Sequence, residues 1–356
     1  MAAALRSPII PPPCLLRHAR RGVPSRSLTT TTATDAAQQM QRTFKNQTKT
    51  YRQTLDGHQL QKLSLTLNRP YLHPDLDITS KPPPNGTPLP PGYHLVYFAP
   101  AAVEANLAAD GTDRTFNAPA PFARRMWAGG RMRWTPGVPL RVGEDVEERT
   151  RFVGATAKRS RDGGEMVLVD VEKELWGSEG LALVDRRSWV FRPPARRTEM
   201  PVVKDEAEAG RIVEDGAGRR SSVEDVRGMN DTGVLERRFK WSPVALFRFS
   251  ALTFNAHMIH YSESWTRNME GHPDVVVHGP LNLICMMDYF RDVHGKEARE
   301  VSYRALSPLY AGDEYSIRTA FTEDSEEDAE EGKAWDIVVA KGAKVCMKGT
   351  IYADSG

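Results

Sequence analysis

The sequence is short of cysteine, with three in 356 residues, and Cys14, Cys285 and Cys346 stand in no CxxC spacing. That argues against a disulfide framework or a cysteine-built zinc site and fits a reducing compartment. Net charge is nearly absent: 48 basic and 46 acidic residues leave +2, too little to argue for nucleic acid. Long apolar runs are missing as well, and none approaches the roughly 18–20 residues that a membrane span needs. Acidic residues are absent from positions 1–34, which carry Arg6, Arg17, Arg20, Arg21 and Arg26 and end in SRSLTTTTAT. An arginine-rich, hydroxyl-rich, acid-free composition is that of an organellar transit peptide, and PIIPPPCLL is too broken by proline for a secretory core. We therefore expect import into the mitochondrial matrix, with cleavage near residues 27–35.

What remains reads as soluble and globular, at 40% hydrophobic and 26% charged, and is long enough for about two domains. The chain also repeats itself. VPLRVGEDVEERTRF (138–152) and SPLYAGDEYSIRTAF (307–321) agree at one constant offset: Pro139 with Pro308, Leu140 with Leu309, Gly143 with Gly312, Arg149 with Arg318, Thr150 with Thr319 and Phe152 with Phe321. Turns reuse proline and glycine, but the shared Arg-Thr-x-Phe lies beyond the turn. A duplicated domain accounts for this, since solenoid periods are shorter. Strands are expected over 129–134, 166–175, 181–191, 299–306, 314–321 and 335–352, where apolar and polar residues tend to alternate. Residues 36–65 carry an amphipathic helix followed by LSLTL, and 70–92 are proline-rich and irregular. Residues 280–290 are apolar nearly all round, which predicts a buried helix with Pro280 at its first position. The acidic run 323–331 reads as a solvated hairpin tip, and the charged segment 195–235 as a flexible linker.

Three of the nine histidines crowd into FSALTFNAHMIHYS (249–262) and DVVVHGPL (274–281). Asn255 and His260 are five apart, so an intervening turn can point both into one pocket. A neutral imidazole suits proton transfer. His278-Gly279-Pro280 falls where a strand-like run meets a helix, and Gly279 lets a ligand approach unpaired backbone N–H groups. Each histidine also has a structural alternative: His257 as a hydrogen-bonded core residue, His278 as a cap for the next helix, His272 as a loop residue. A metal site is poorly supported, because the spacing matches no HExxH pattern and no carboxylate is suitably placed.

FNAHMIHYS followed by EGHPDVVVHGPL resembles the MaoC-like dehydratases of the hot-dog superfamily, and more closely the mitochondrial hydroxyacyl-thioester dehydratase type 2 and mesaconyl-C4-CoA hydratase branch. LPPGYHLVYFAP (89–100), APFARRMWAGGRMRW (120–134) and PLRVGEDV (139–146) extend the likeness over most of residues 50–356. The resemblance implies an α+β fold of two fused hot-dog domains, each a curved antiparallel sheet around a long helix. The expected organisation is a transit peptide (1–34), a non-catalytic hot-dog domain (35–194), a linker (195–235) and a catalytic hot-dog domain (236–356).

By the same resemblance the protein is a hydro-lyase. His260 is the catalytic base and acid, and Gly279 supplies a backbone N–H to the thioester oxygen. Asn255, standing where single-domain relatives carry aspartate, can hold water but not exchange a proton. His278, His257 and Leu281 are substrate-binding candidates, with core packing the stronger reading for Leu281. Met258 stands where close relatives tend to have arginine, and Ser262 where they tend to have aspartate. The implied reaction interconverts (3R)-hydroxyacyl and trans-2-enoyl thioesters of acyl carrier protein or coenzyme A, in mitochondrial fatty acid synthesis. It needs no metal or redox cofactor and no membrane span or nucleic acid, and it is compatible with a homodimer. Three alternatives stay open: hydration of a branched dicarboxylic thioester such as mesaconyl-CoA, non-catalytic acyl-thioester binding, and thioesterase activity.

Overall fold

The computed structural model describes residues 31–160, 163–194, 220–227, 235–320 and 333–353. The expected hairpin tip at 323–331 lies outside them, as does nearly all of the expected transit peptide. The described residues start at 31, slightly before the boundary expected at residue 35. Helix α1 (Ala33–Phe44) opens at Thr32, whose side chain accepts from the Asp35 N–H while the Asp35 carboxylate accepts from the Thr32 N–H. This reciprocal cap satisfies two otherwise orphaned donors. The Ala33, Ala36, Ala37 and Met40 face is buried, at helical spacing.

The described strands form one antiparallel sheet in the order β1-β3-β4-β5-β2-β8-β11-β10-β9-β7-β6. The first half supplies β1 (Thr48–Thr54), β2 (Arg124–Trp134), β3 (Asp145–Arg159), β4 (Glu165–Gly177) and β5 (Gly180–Arg192). The second supplies β6 (Ser222–Arg227), β7 (Leu235–Lys240), β8 (Glu300–Ala305), β9 (Glu314–Thr319), β10 (Lys333–Lys341) and β11 (Lys344–Ala353). Leaving β6 aside, the order is a palindrome about the β2–β8 seam, where Gly130 faces Tyr303.

The sequence repeat has a physical counterpart at the palindrome's ends. Strand β1 runs through Leu55 into an Asp56-capped helix α2 (Gly57–Thr66), and β7 runs through Trp241 into a Ser242-capped helix α3 (Pro243–Leu252). The Gly143 N–H donates to the Leu55 carbonyl at 2.8 Å, and the Gly312 N–H donates to the Trp241 carbonyl at 2.9 Å. Both glycines hold positive φ, 83° and 78°, which side chains rarely tolerate. The matched Pro-Leu…Gly-acid turns are thus the same turn entering β3 and β9.

The halves differ in what the sheet wraps. In the second half α4 (Glu263–Asn268) is followed by α5 (Gly279–His294), buried without a break from Leu281 to Phe290. An apolar circumference is what such a central helix requires. Between α2 and β2 the described first half has only short 3-10 turns at 93–96 and 104–106. The long helix that the resemblance implies for each half is present once. The turn at 93–96 rests on it: Gly92, at φ 90°, sits where a Cβ would lie 3.6 Å from Ile284 and 3.7 Å from Met287. The main core accordingly mixes both halves, and a smaller cluster lies under α1.

Two further expectations are corrected. Residues 36–65 hold two helices split by β1, not one, because Thr48–Thr54 is taken up as an edge strand on β3. Within residues 220–227 of the expected flexible linker, Ser222–Arg227 is strand β6 on β7. Its ladder is reinforced where Arg237 reaches Asp225 with two hydrogen bonds, of 2.6 and 2.9 Å. Composition alone could not show that its charges would be paired across strands.

Candidate active site

The site is assembled on the turn after α3. Phe254 takes positive φ (47°), and the Asn255 N–H returns to the Ser250 carbonyl at 2.9 Å. Asn255 Oδ1 accepts from the His257 N–H at 3.1 Å, which leaves the amide NH2 as its free donor. A 3-10 turn, Met258–His260, then carries His260 to the segment before α5. Two bonds pin it there: the Val276 N–H donates to the Ile259 carbonyl at 2.7 Å, and His260 Nδ1 donates to the Val276 carbonyl at 2.7 Å. A carbonyl can only accept, so Nδ1 bears the proton and Nε2 of the neutral ring carries a lone pair.

Burial sets the electrostatics. It pulls the pKa of His260 down to about 4, although the Val276 carbonyl favours the charged ring. Burial likewise holds His257 and His278 well below the usual histidine range, with the neighbouring imidazoles adding to the effect. All three rings are therefore neutral near pH 7. His278 stacks on His260, ring centres 3.7 Å apart and planes within 16°. Its Nε2 lies 2.9 Å from Ser250 Oγ, and Phe249 presents an edge to it at 4.8 Å. His278 occupies the position before α5, but its ring makes no capping bond.

Gly279 is the first residue of α5, so its N–H has no partner one turn back. A Cβ there would come within 3.3 Å of Trp127 Cγ from the first half. Asn255, His257, His260, His278 and Gly279 all line one cavity of about 1270 Å³, together with Met258, Trp127, Lys173 and Arg187. Leu281 is not on its wall. It is 1% exposed in the main core, with Ile284 and Met287. Two positions along a helix is roughly 200° of rotation, which turns Leu281 away from the face that Gly279 presents. Ser262 caps α4, its Oγ accepting from the Trp265 N–H at 3.3 Å. Aspartate is an equally good residue at that place, so the departure from the relatives keeps the cap.

Sequence reasoning missed what the first half brings. The Asp110 carbonyl accepts from the Met258 N–H at 2.8 Å, and its carboxylate lies 3.5 Å from His257 Nε2. Gly111, at φ 84°, packs so tightly on the 255–260 turn that a Cβ would fall 1.9 Å from the Ala256 carbonyl oxygen. A glycine in a loop before the strands was the available signal, and nothing local said what it would touch.

Residues 92–311 match the family described as hydroxyacyl-thioester dehydratase type 2. The chain belongs to that family. Among curated relatives of this dehydratase, a mesaconyl-C(4)-CoA hydratase of Chloroflexus aurantiacus is 33% identical over 241 residues, covering 64% of this chain and 75% of that protein. A mitochondrial hydroxyacyl-thioester dehydratase type 2 of Schizosaccharomyces pombe is 27% identical over 241 residues, covering 63% and 75%. In fold the chain is similar to a MaoC-like dehydratase of Phytophthora capsici, with TM-score 0.55, 14% identity and coverage of 87% and 96%. It is also similar to a Mycobacterium tuberculosis protein described as a double hot-dog, with TM-score 0.52, 14% identity and coverage of 88% and 97%. The fold is therefore the α+β double hot-dog, and the protein is a hydro-lyase of the hydroxyacyl-thioester dehydratase and enoyl-thioester hydratase class.

Proposed function

We propose that the protein reversibly dehydrates (3R)-hydroxyacyl thioesters, on acyl carrier protein or coenzyme A, to trans-2-enoyl thioesters in mitochondrial fatty acid synthesis. The observation that carries this reading is a bare imidazole nitrogen and a helix-start N–H on the wall of one cavity. The Gly279 N–H donates to the thioester carbonyl oxygen and stabilises the enolate as it forms. His260 Nε2 takes the proton from the α carbon. The bond from the β carbon to the hydroxyl then breaks, and the oxygen leaves as water with the proton that His260 returns. The Asn255 amide donates to that hydroxyl and orients it. The thioester itself delocalises the carbanion, so the step calls for no metal or redox group. Hydration is the same path reversed.

In this reading residues 236–356 carry the chemistry, and residues 35–194 build the opposite wall. Residues 1–34 act as a matrix-targeting leader. A reporter fused to residues 1–40 should enter mitochondria, and a cytosolic reporter would contradict that part. The test of activity is protein beginning at residue 31, assayed on a panel of 3-hydroxyacyl and enoyl thioesters. Loss of absorbance on crotonyl-CoA hydration supports the reading. Tight thioester binding without turnover would replace it with acyl-thioester binding, and free thiol release would replace it with a thioesterase. A second reading, hydration of a dicarboxylic enoyl thioester, draws support from the bacterial relative, which is the more similar of the two described.

A further inference from the structure

The inner face of the first half's sheet is polar where a core should be. Thr150 pairs with Lys173 and Lys173 with Asp185 across β3, β4 and β5, so these three share a face. Glu148 and Arg187 lie on the same face, two residues along from Thr150 and Asp185. To one side Val146, Leu175 and Leu183 belong to the main core. To the other Phe152, Val171 and Trp189 belong to the cluster under α1. A belt of charge thus divides two apolar regions on one continuous face. Charges are costly to bury, so such a belt needs a reason beyond packing.

The belt opens on the cavity that His260 and Gly279 line. Thr150, Lys173 and Arg187 are on its wall, with Glu148 and Asp185 behind them. Lys173 Nζ holds Glu148 at 2.7 Å, and Arg187 holds Asp185 through Nε and Nη2 at 2.7 and 2.5 Å. Arg187 Nη1 has no protein partner among the described residues; the buried Trp127 Nε1 has only the Tyr303 hydroxyl near it, and behind the wall Asp185 Oδ1 is an unpartnered acceptor. The two side chains stack, the guanidinium carbon 5.2 Å from the Trp127 ring centre. The whole wall carries Arg125, Lys173, Arg187, Arg192 and Arg304 against Glu104 and Asp113. Apart from Asp185 Oδ1 behind the wall, the unused capacity facing the cavity is for donating hydrogen bonds, in a basic setting.

We infer that Arg187, Lys173 and Trp127 form a subsite for an oxygen-bearing group at the far end of the acyl chain, a carboxylate above all. This rests on the thioester reading above, in its dicarboxylic form, and adds to it what the first half recognises. Trp127 packs on Gly279, so Arg187 lies one ring beyond the bound thioester carbonyl. A carrier phosphate, a full pantetheine arm from the sulfur, falls elsewhere. A long alkyl tail would strip water from Lys173 and Arg187 and return no hydrogen bond.

The test uses succinyl-CoA and butyryl-CoA, which differ in a terminal carboxylate and cannot be hydrated, as competitors of crotonyl-CoA hydration by the wild-type protein. Succinyl-CoA should inhibit roughly 10- to 100-fold more tightly, the worth of a charge-assisted bond. Equal or weaker inhibition overturns the subsite. Absence of crotonyl-CoA turnover would instead sink the proposed activity itself. Repeating the comparison with pantetheine thioesters separates the sources: an unchanged ratio places recognition at the acyl end, and a ratio that collapses assigns it to the carrier and overturns the inference. Asp185→Asn with Arg187→Met, which leaves no stranded carboxylate, should erase the ratio, and a retained ratio would contradict it. If that pair fails to fold, Glu148→Gln with Lys173→Met takes its place and should reduce the ratio.

Discussion

Two copies of one folding unit sit side by side, and their inner faces have gone opposite ways. The second half keeps the long buried helix α5 and places three neutral imidazoles at its head. The first half has no such helix among its described residues and fills the space with ion pairs and a cavity. Duplication preserves the frame, seen in Gly143 and Gly312, while the inner surface is free to change. The proposed chemistry calls for an uncapped helix start and a desolvated base, and among the described helices only α5, in the second half, starts without a side-chain cap.

The sharpest break of this comparison is a double dissociation. His260→Ala should lower the hydration rate by about 10²–10⁴-fold with the fold intact by circular dichroism. Met40→Ala, in the cluster under α1, should cost about 2–5 kcal/mol in urea unfolding with the rate unchanged. A rate loss from Met40→Ala, or none from His260→Ala, would mean that the halves do not divide the labour this way.

Next in size is the clasp between them. Gly111→Ala puts a methyl into the Ala256 carbonyl at a φ that disfavours it, and should destabilise by about 1–3 kcal/mol and slow turnover as the 255–260 turn shifts. Gly137→Ala, also at positive φ but in open space, should cost about 1 kcal/mol and leave turnover alone. Similar rates in the two variants would show that the clasp does not position the turn.

Between pH 7 and pH 5 acid should act through the buried histidines, His257, His260 and His278 in the second half and His94 in the first. The folded pKa of His260 is depressed below its unfolded value of about 6.5, to about 4. The unfolded chain thus binds the proton first, and stability is full above about pH 6.5 and falls toward pH 4. His257 and His278 push in the same direction. Urea midpoints measured at pH 7 and pH 5 should drop for wild type and drop less for His260→Gln. Ser250→Ala, which strands His278 Nε2, should cost about 1–3 kcal/mol. The smallest effect is Ser262→Asp, which keeps the α4 cap and should stay within about 0.5 kcal/mol in the same unfolding assay.

Much of this was readable from local pattern. The turn-forming glycines exposed the duplication, the unbroken apolar run 280–290 announced a buried helix, and the spacing of Asn255, His260, His278 and Gly279 brought them to one cavity. What stayed hidden depends on partners distant in the chain. Nothing near Trp127 says that it will pack on Gly279, nor near Arg187 that its charge will face a cavity. Leu281, weighed between the cavity and the core, belongs to the core, because helical rotation carries it away from neighbours in sequence that face the cavity. The strand at 222–227 was hidden because Asp225 finds its partner, Arg237, only on β7.

The central claim is that His260 moves the proton at the α carbon. Incubating crotonyl-CoA with the enzyme in deuterium oxide and following deuterium at C2 of the hydrated product tests this directly. Wild type should place one deuterium on a single face, and His260→Ala should do so slower by the same factor as it loses hydration. Deuterium arriving at C2 at the wild-type rate without His260 would contradict the account.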